Sequence, residues 1–228
     1  MFLALDQAKV SEAFLGFFLA LLSAGVLWLI KSAYSKHLSE ISALSRYERA
    51  YVLNISKFRD NMQFVGEWIS AARQIRPYSF QFDSFIVNQE DSYQIKNLKL
   101  VNVIVSLNYK LNRINLDVEN VCKDYWKILE RILEIEDQKT QTENLKRYHE
   151  TIVQTLGQMR ENYKSVEKET VTAIASIRVE AEVRKHSIFG YLDSLFIDIW
   201  PVYSEDRIKV LVKGLEEEVL RKNSKIVD

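Results

Sequence analysis

The sequence predicts an all-α protein: an N-terminal transmembrane helix, then long antiparallel coiled-coil-like helices that form a helical bundle, then a short C-terminal helical cap. Three observations predict it: few turn-forming residues, one uninterrupted apolar block, and long runs of apolar residues spaced four and three apart. Only 6 Gly and 2 Pro occur in 228 residues, which disfavours sandwiches, barrels and Gly-rich βα crossovers.

Charge and cysteine content narrow the possible partners. Lys plus Arg and Asp plus Glu number 31 each, so no global field attracts nucleic acid, and nucleic-acid binding is not expected. The single cysteine, Cys122, cannot form an intramolecular disulfide, which suits a reducing compartment.

The apolar segment, residues 13–30, reads AFLGFFLALLSAGVLWLI and contains no charge over 18 residues. As a helix it is roughly 27 Å long, about the hydrocarbon thickness of a bilayer. We therefore predict a transmembrane anchor at 13–31 after a short flank at 1–12, with Trp28 and Lys31 at its membrane edge. The predicted lipid-facing residues are Phe14, Phe17, Phe18, Leu21, Leu22, Leu27 and Trp28.

Two other interpretations of this segment are weaker. A cleaved signal peptide has a basic start and a small-residue cleavage site, whereas Asp6 and Glu12 offset Lys9 here and no convincing site follows. A buried helix of a soluble core would have a polar face, and this segment has only Ser23 and small residues. A single-pass membrane protein is the favoured interpretation.

Cations near the two ends predict the orientation. Only Lys9 precedes the segment, while four cations follow it closely: Lys31, Lys36, Arg46 and Arg49. Because the more cationic flank stays in the cytoplasm, the body is predicted to be cytoplasmic.

The predicted body spans 32–189, with helices at about 36–76, 93–137 and 139–189. Its clearest heptad run is Leu100, Ile104, Leu107, Leu111, Ile114, Val118, Val121, Tyr125, Ile128, Ile132 and Ile135. From this run we assign Leu107, Leu111, Ile114, Val118, Val121 and Ile128 to the helix-packing seam. The polar residues between these positions, beginning with Asn108, are expected on the solvated side.

Two further runs flank the central one. The first, from Ile41 to Ala72, contains one charged residue, Glu48, and should end at Arg76 because Pro77 cannot continue a helix. The third extends from Leu145 to Ile177. Residues 77–92 form a connector, since their phenylalanines break helical spacing.

Residues 136–144 are either a turn or part of one continuous helix. A turn favours an up-down-up bundle, whereas continuity gives a rod whose exposed seam needs a partner chain.

The C-terminal segment, 190–228, is predicted to be helical. Residues 187–200 carry an apolar face and form either a helix that caps the bundle or a helix that docks on membrane or partner; Asp193 and Asp198 disfavour anionic lipid. A last helix is predicted from Ser204 to about Asn223, capped by Ser204.

No chemical motif is apparent. The sequence has no HExxH or CxxC motif, its six glycines never cluster, and Glu182 with His186 reads as a solvated pair. Arg184, Lys185 and His186 read as a solvated basic helix end. We therefore predict no catalytic, cofactor-binding or metal-binding residue, no cofactor and no enzymatic activity.

The leading hypothesis is a membrane-anchored coiled-coil interaction or scaffold protein that oligomerises or presents its helical body to a partner. Its expected partners are membrane lipid and a second copy or another protein bound through helices, with no nucleic acid and no small-molecule substrate. One alternative is a membrane-acting effector, of pore, lysis or phage-defence type, whose body gathers transmembrane anchors. The other alternative is an enzyme with an unrecognised helical site.

Overall fold

Three long helices make up most of the chain in a computed structural model that describes residues 2–79, 82–88 and 90–186, with 209, 210, 213, 214 and 217 near the C-terminus. They are α1 (Phe2–Arg73), α2 (Leu98–Leu133) and α3 (Gln138–His186), and a short 3-10 turn lies at Ser92–Gln94. The described ranges contain no β-strand, so the predicted all-α bundle is confirmed. The segment 187–200 and, except for those five isolated positions, the last predicted helix lie outside the described residues.

Helix α1 is continuous over 72 residues, or roughly 108 Å. The sequence had suggested two helices, one at 13–31 and another from about residue 36. No Gly or Pro stands between Lys31 and Lys36, so nothing interrupts the hydrogen-bond ladder there. The apolar segment and the first helix of the body are therefore parts of one rod.

The C-terminal end of α1 lies at Arg73, three residues before the predicted Arg76. Ile75 adopts a left-handed conformation, with φ 55°, and the backbone N–H of Arg76 donates to the carbonyl of Ala71 at 3.0 Å. This is the Schellman arrangement, which usually places glycine where Ile75 stands. The chain turns out of the helix before it reaches Pro77, so the proline follows the helix end and does not itself cause it.

Helices α1 and α2 run in the same direction. The hydroxyl of Tyr51 donates to Oδ1 of Asn108 at 3.0 Å, and further along both helices the rings of Trp68 and Tyr125 meet edge-on at 5.0 Å. The expected up-down-up order is therefore wrong for this pair. The described part of the connector, residues 74–79, 82–88 and 90–97, is neither α-helix nor strand. It contacts first Asn61 and then Asn54, so the chain returns along α1 and α2 starts again at the same end as the body part of α1.

Helix α3 runs antiparallel to both other helices and packs against each of them. A turn at 134–137 reverses the chain, which settles the alternative left open for residues 136–144. Asp137 caps α3 by accepting the backbone N–H of Thr140 at 3.0 Å. Near the other end of α3, Nε of Arg178 lies 2.7 Å from a carboxylate oxygen of Glu48, the one charged residue in the first heptad run.

Asparagines hold the connector between α1 and α2. The side-chain amide of Asn54 donates to the carbonyl of Ile86 at 2.9 Å and accepts its N–H at 2.8 Å. Asn61 and Asp83 form the same two-way pair at 2.9 and 3.1 Å. Each amide thus pairs with one connector residue as a neighbouring β-strand would.

The second helix contributes its own asparagines from the opposite side. Asn115 pairs in both directions with Phe85, at 2.8 and 3.0 Å, and Asn108 donates to the carbonyl of Asn88. The two asparagines on each helix are seven residues apart, so they lie on one face. This arrangement satisfies the peptide groups of an irregular segment that would otherwise be costly to place inside a bundle.

The interior positions of α2 follow the predicted seam for most of its length. Leu107, Leu111, Ile114 and Val118 are buried, and Val121 is half-buried. The exception is Ile128, which is 37% exposed, while Leu129 takes the inward place at 4%. A straight α-helix drifts by about 20° per heptad relative to a seven-residue repeat, which is roughly 80° between Leu100 and Ile128.

Replacing Asn54 by Ala should lower the free energy of unfolding by about 2–4 kcal/mol, because it leaves the N–H and carbonyl of Ile86 without partners in a largely buried layer. Asn162, an exposed asparagine of α3, is the matched control. Its replacement by Ala should leave stability unchanged or slightly raised, since Ala is the better helix former. Chemical denaturation measures the stability of both variants, and equal stability would contradict the stabilising role of the Asn54–Ile86 pair.

Candidate functional site

The apolar segment is exposed on every side of α1. All described side chains from Ser11 to Ile30 are exposed. The seven predicted lipid-facing residues, Phe14, Phe17, Phe18, Leu21, Leu22, Leu27 and Trp28, range from 51% to 72% exposed. The part of the chain that the structure describes therefore includes one helix long and apolar enough to cross a membrane, with none of its most apolar stretch buried.

Burial starts abruptly where this segment ends. Ala33 is 6% exposed, and the next inward positions of α1 are His37 and Glu40, both buried. Ala33, His37 and Glu40 are spaced four and three residues apart, so they extend the heptad pattern of the buried core to the end of the body nearest the apolar segment. Polar side chains thus fill the seam at the level where the body meets the exposed apolar segment.

Six residues from three elements meet at this level and form what we term the basal cluster. Its members come from α1, from the residues just before α2 and from the end of α3: His37, Glu40, Lys96, Asn97, Glu180 and Arg184. The two carboxylates and Arg184 are among the most buried charged groups of the described chain.

Arg184 lies between the two carboxylates of the basal cluster. Its Nε is 3.0 Å from an oxygen of Glu180 and 3.6 Å from an oxygen of Glu40. The backbone N–H of Lys96 donates to the same Glu40 oxygen at 3.0 Å. Asn97 caps α2 by accepting the N–H of Leu100, and its amide donates to Glu180 at 2.9 Å. The ion triad of Glu40, Glu180 and Arg184 therefore joins the end of α3 to α1. The hydrogen bonds of Lys96 and Asn97 attach the start of α2 to the same triad.

Burial disturbs the protonation of two members of the cluster. Burial raises the pKa of the Glu40 carboxyl, against the opposing influence of the Lys96 N–H and of Arg184. Burial lowers the pKa of His37, and the nearby charges of Arg184 and Lys96 lower it further. His37 is thus held in its neutral form near pH 7, and the second oxygen of Glu40, Oε2, has no hydrogen-bond partner in the described part.

The sequence did not indicate this cluster. The run 184–186 was expected to be a solvated basic helix end, but Arg184 is only 6% exposed. A signal was present in retrospect: Glu180 and Arg184 are four residues apart, and Glu40 continues the first heptad run toward the N-terminus. A charged residue at a seam position generally requires a buried counter-charge, and this requirement links the two helices.

The described residues contain no group of three or more His, Cys, Asp or Glu side chains placed to hold a metal ion. Cys122 is half-buried, and burial raises the pKa of its thiol. Comparison of the chain with protein-family models, curated proteins and solved structures found no match. The features that can indicate a function are therefore the apolar segment, the basal cluster and the outer surfaces of the bundle.

Replacing Arg184 by Met should cost about 3–5 kcal/mol at pH 8, because two buried carboxylates lose their shared counter-charge. The loss should shrink on acidification, because Arg184 opposes the rise in pKa that burial causes at Glu40. Without Arg184 the folded-state pKa of Glu40 is higher still, so proton uptake stabilises the folded variant more than the folded wild type. Lys185, the exposed neighbour, is the control, and its replacement by Met should have little effect at either pH. Thermal unfolding at pH 8 and pH 5 measures this; a pH-independent loss would contradict the triad.

Proposed function

We propose that this chain is a single-pass membrane protein that displays a helical interaction body close to the membrane surface. The observation that carries the proposal is the division of α1 into two environments along one unbroken helix. Its first part is apolar and exposed on all sides, and its second part supplies the core of the body. A bilayer provides the apolar surroundings that the described body does not.

The exposed apolar area supports the membrane assignment. Soluble monomers rarely expose a contiguous apolar patch of more than a few hundred Å². Residues 13–30 expose far more than this around a full helix, including Phe17 at 64% and Trp28 at 67%. Burial of such an area in water would require a large partner, whereas insertion in lipid requires only a span of this length.

The completeness of the body supports an interaction role. Its helices bury the seam of α2 within a single chain, so the core itself requires no second chain. Its buried polar groups serve structural contacts, such as the asparagine pairs and the basal cluster. A bundle that closes its own core and is anchored by a transmembrane helix is suited to presenting its outer faces to other proteins. We propose no enzymatic activity for it.

The proposed orientation places the body on the cytoplasmic side. Four cations follow the apolar segment within about twenty residues, Lys31, Lys36, Arg46 and Arg49, and one cation, Lys9, precedes it.

Protease added to inverted vesicles should then digest the body, and protease added to intact cells should not.

Introducing Arg at both Phe18 and Leu22, near the middle of the segment, should abolish stable insertion, because each central Arg costs about 2.5–3.5 kcal/mol of insertion free energy. The matched control introduces Arg at Leu38 and Leu53, two leucines on the same helix beyond the segment, which are 47% and 55% exposed. Alkaline extraction of cell membranes is the measurement. Wild type and control should stay in the pellet, and release of the wild type would overturn the proposal.

A further inference from the structure

A second apolar seam follows the outer side of α2, opposite the face that packs into the bundle. The six members of this outer stripe are exposed and uncharged: Leu98, Asn102, Val105, Tyr109, Asn112 and Leu116. The four apolar members are 72%, 52%, 65% and 51% exposed, in chain order. Their steps of four and three repeat the pattern by which helices pair in coiled coils.

The described surfaces of α1 beyond residue 31 and of α3 carry no comparable apolar stripe. Among the described side chains of α3, no large apolar residue is exposed, although that helix is the longer of the two. The exposed apolar residues of α1 beyond residue 31 do not form a heptad run. An apolar stripe that is confined to one helix and continues for almost three heptads indicates a docking surface.

We propose that the outer stripe binds the same stripe of a second copy, so that two α2 helices pair in parallel and in register. This inference rests on the proposed function, because two copies anchored in one membrane carry their bodies in the same orientation. The backbone of Lys96 contacts Glu40, so α2 starts about 14 Å beyond Lys31 in every copy. The stripes of neighbouring copies therefore lie at the same height.

The two asparagines of the outer stripe favour a second copy of this chain over an unrelated protein as the partner of the stripe. In the heptad of the stripe Asn102 takes an a position and Asn112 a d position, so each faces its own counterpart across a parallel twofold pair. Asparagine amides both donate and accept, which makes them self-complementary. A buried asparagine at such a position weakens helix pairing but fixes its register.

The area of the stripe explains why the membrane is part of the interaction. Its four apolar side chains expose roughly 450 Å² per copy, about half of the ~800 Å² per partner found in stable standard interfaces. Such a contact is weak between freely diffusing molecules. Anchoring both copies in one bilayer raises their effective concentration without any new contact.

Thiol cross-linking of the full chain in membranes tests the pairing. In a Cys122→Ser background, which removes the only native cysteine, Asn112→Cys should give a dimer with a short bismaleimide. Asp117→Cys is the control, since it is exposed on the same helix about 100° away from the stripe. The dimer yield at 112 should exceed that at 117 at least fivefold.

A second variant tests the stripe itself. Adding Tyr109→Glu to Asn112→Cys places like charges at facing positions and should reduce the dimer yield at least fivefold, with unfolding temperature unchanged because Tyr109 is exposed. Equal yields at 112 and 117, or a 112 thiol shielded from a monofunctional maleimide without dimer, would overturn self-pairing. Loss of the chain from the membrane pellet would contradict the proposed function instead, so the two failures are distinguishable.

Discussion

The arrangement of the molecule depends on one constraint: a single unbroken helix, α1, has an apolar surface on all sides at one end and an apolar stripe at the other. The helix is continuous between the two parts, so the position of the first part fixes where the body begins. The body must therefore close around α1 directly beyond the apolar segment. The basal cluster lies at that level, where the start of α2 and the end of α3 meet the foot of α1.

A second requirement, hydrogen bonding of the connector, determines the topology. Since α2 runs parallel to α1, the chain has to travel back along the bundle before α2 begins. The described part of this segment runs between the two helices, and the peptide groups of Asp83, Phe85 and Ile86 pair with asparagine side chains instead of a strand. Phe82 and Phe85 complete the layer: the ring of Phe85 lies 4.2 Å from that of Phe58 and 5.9 Å from that of Phe82. The connector is thus a structural layer of the bundle and does not serve merely as a loop.

The helices were predictable from the sequence because apolar spacing reports directly on which side chains face a core. The same spacing misplaced Ile128, since a fixed seven-residue repeat does not follow the drift of a straight helix over four heptads. Asn108 is buried, although it was expected in solvent. The prediction was wrong because spacing alone cannot distinguish an asparagine that pairs with backbone from one that pairs with water. Arg184 was misjudged for a similar reason, since its partner Glu40 is more than a hundred residues away in sequence.

The central claim is that α1 passes from lipid into the body without a break, and a cysteine accessibility scan along α1 tests it most directly. Single cysteines are placed one at a time from residue 14 to residue 56 of the full chain in native membranes, in a Cys122→Ser background, and their labelling by a water-soluble maleimide is measured. If α1 lies in lipid there, no cysteine within residues 14–30 is labelled. Beyond residue 31 labelling follows the helical period and is strong at exposed positions such as Leu53 and absent at buried ones such as Leu44. Labelling within 14–30, or loss of the helical period between residues 31 and 40, would contradict the central claim.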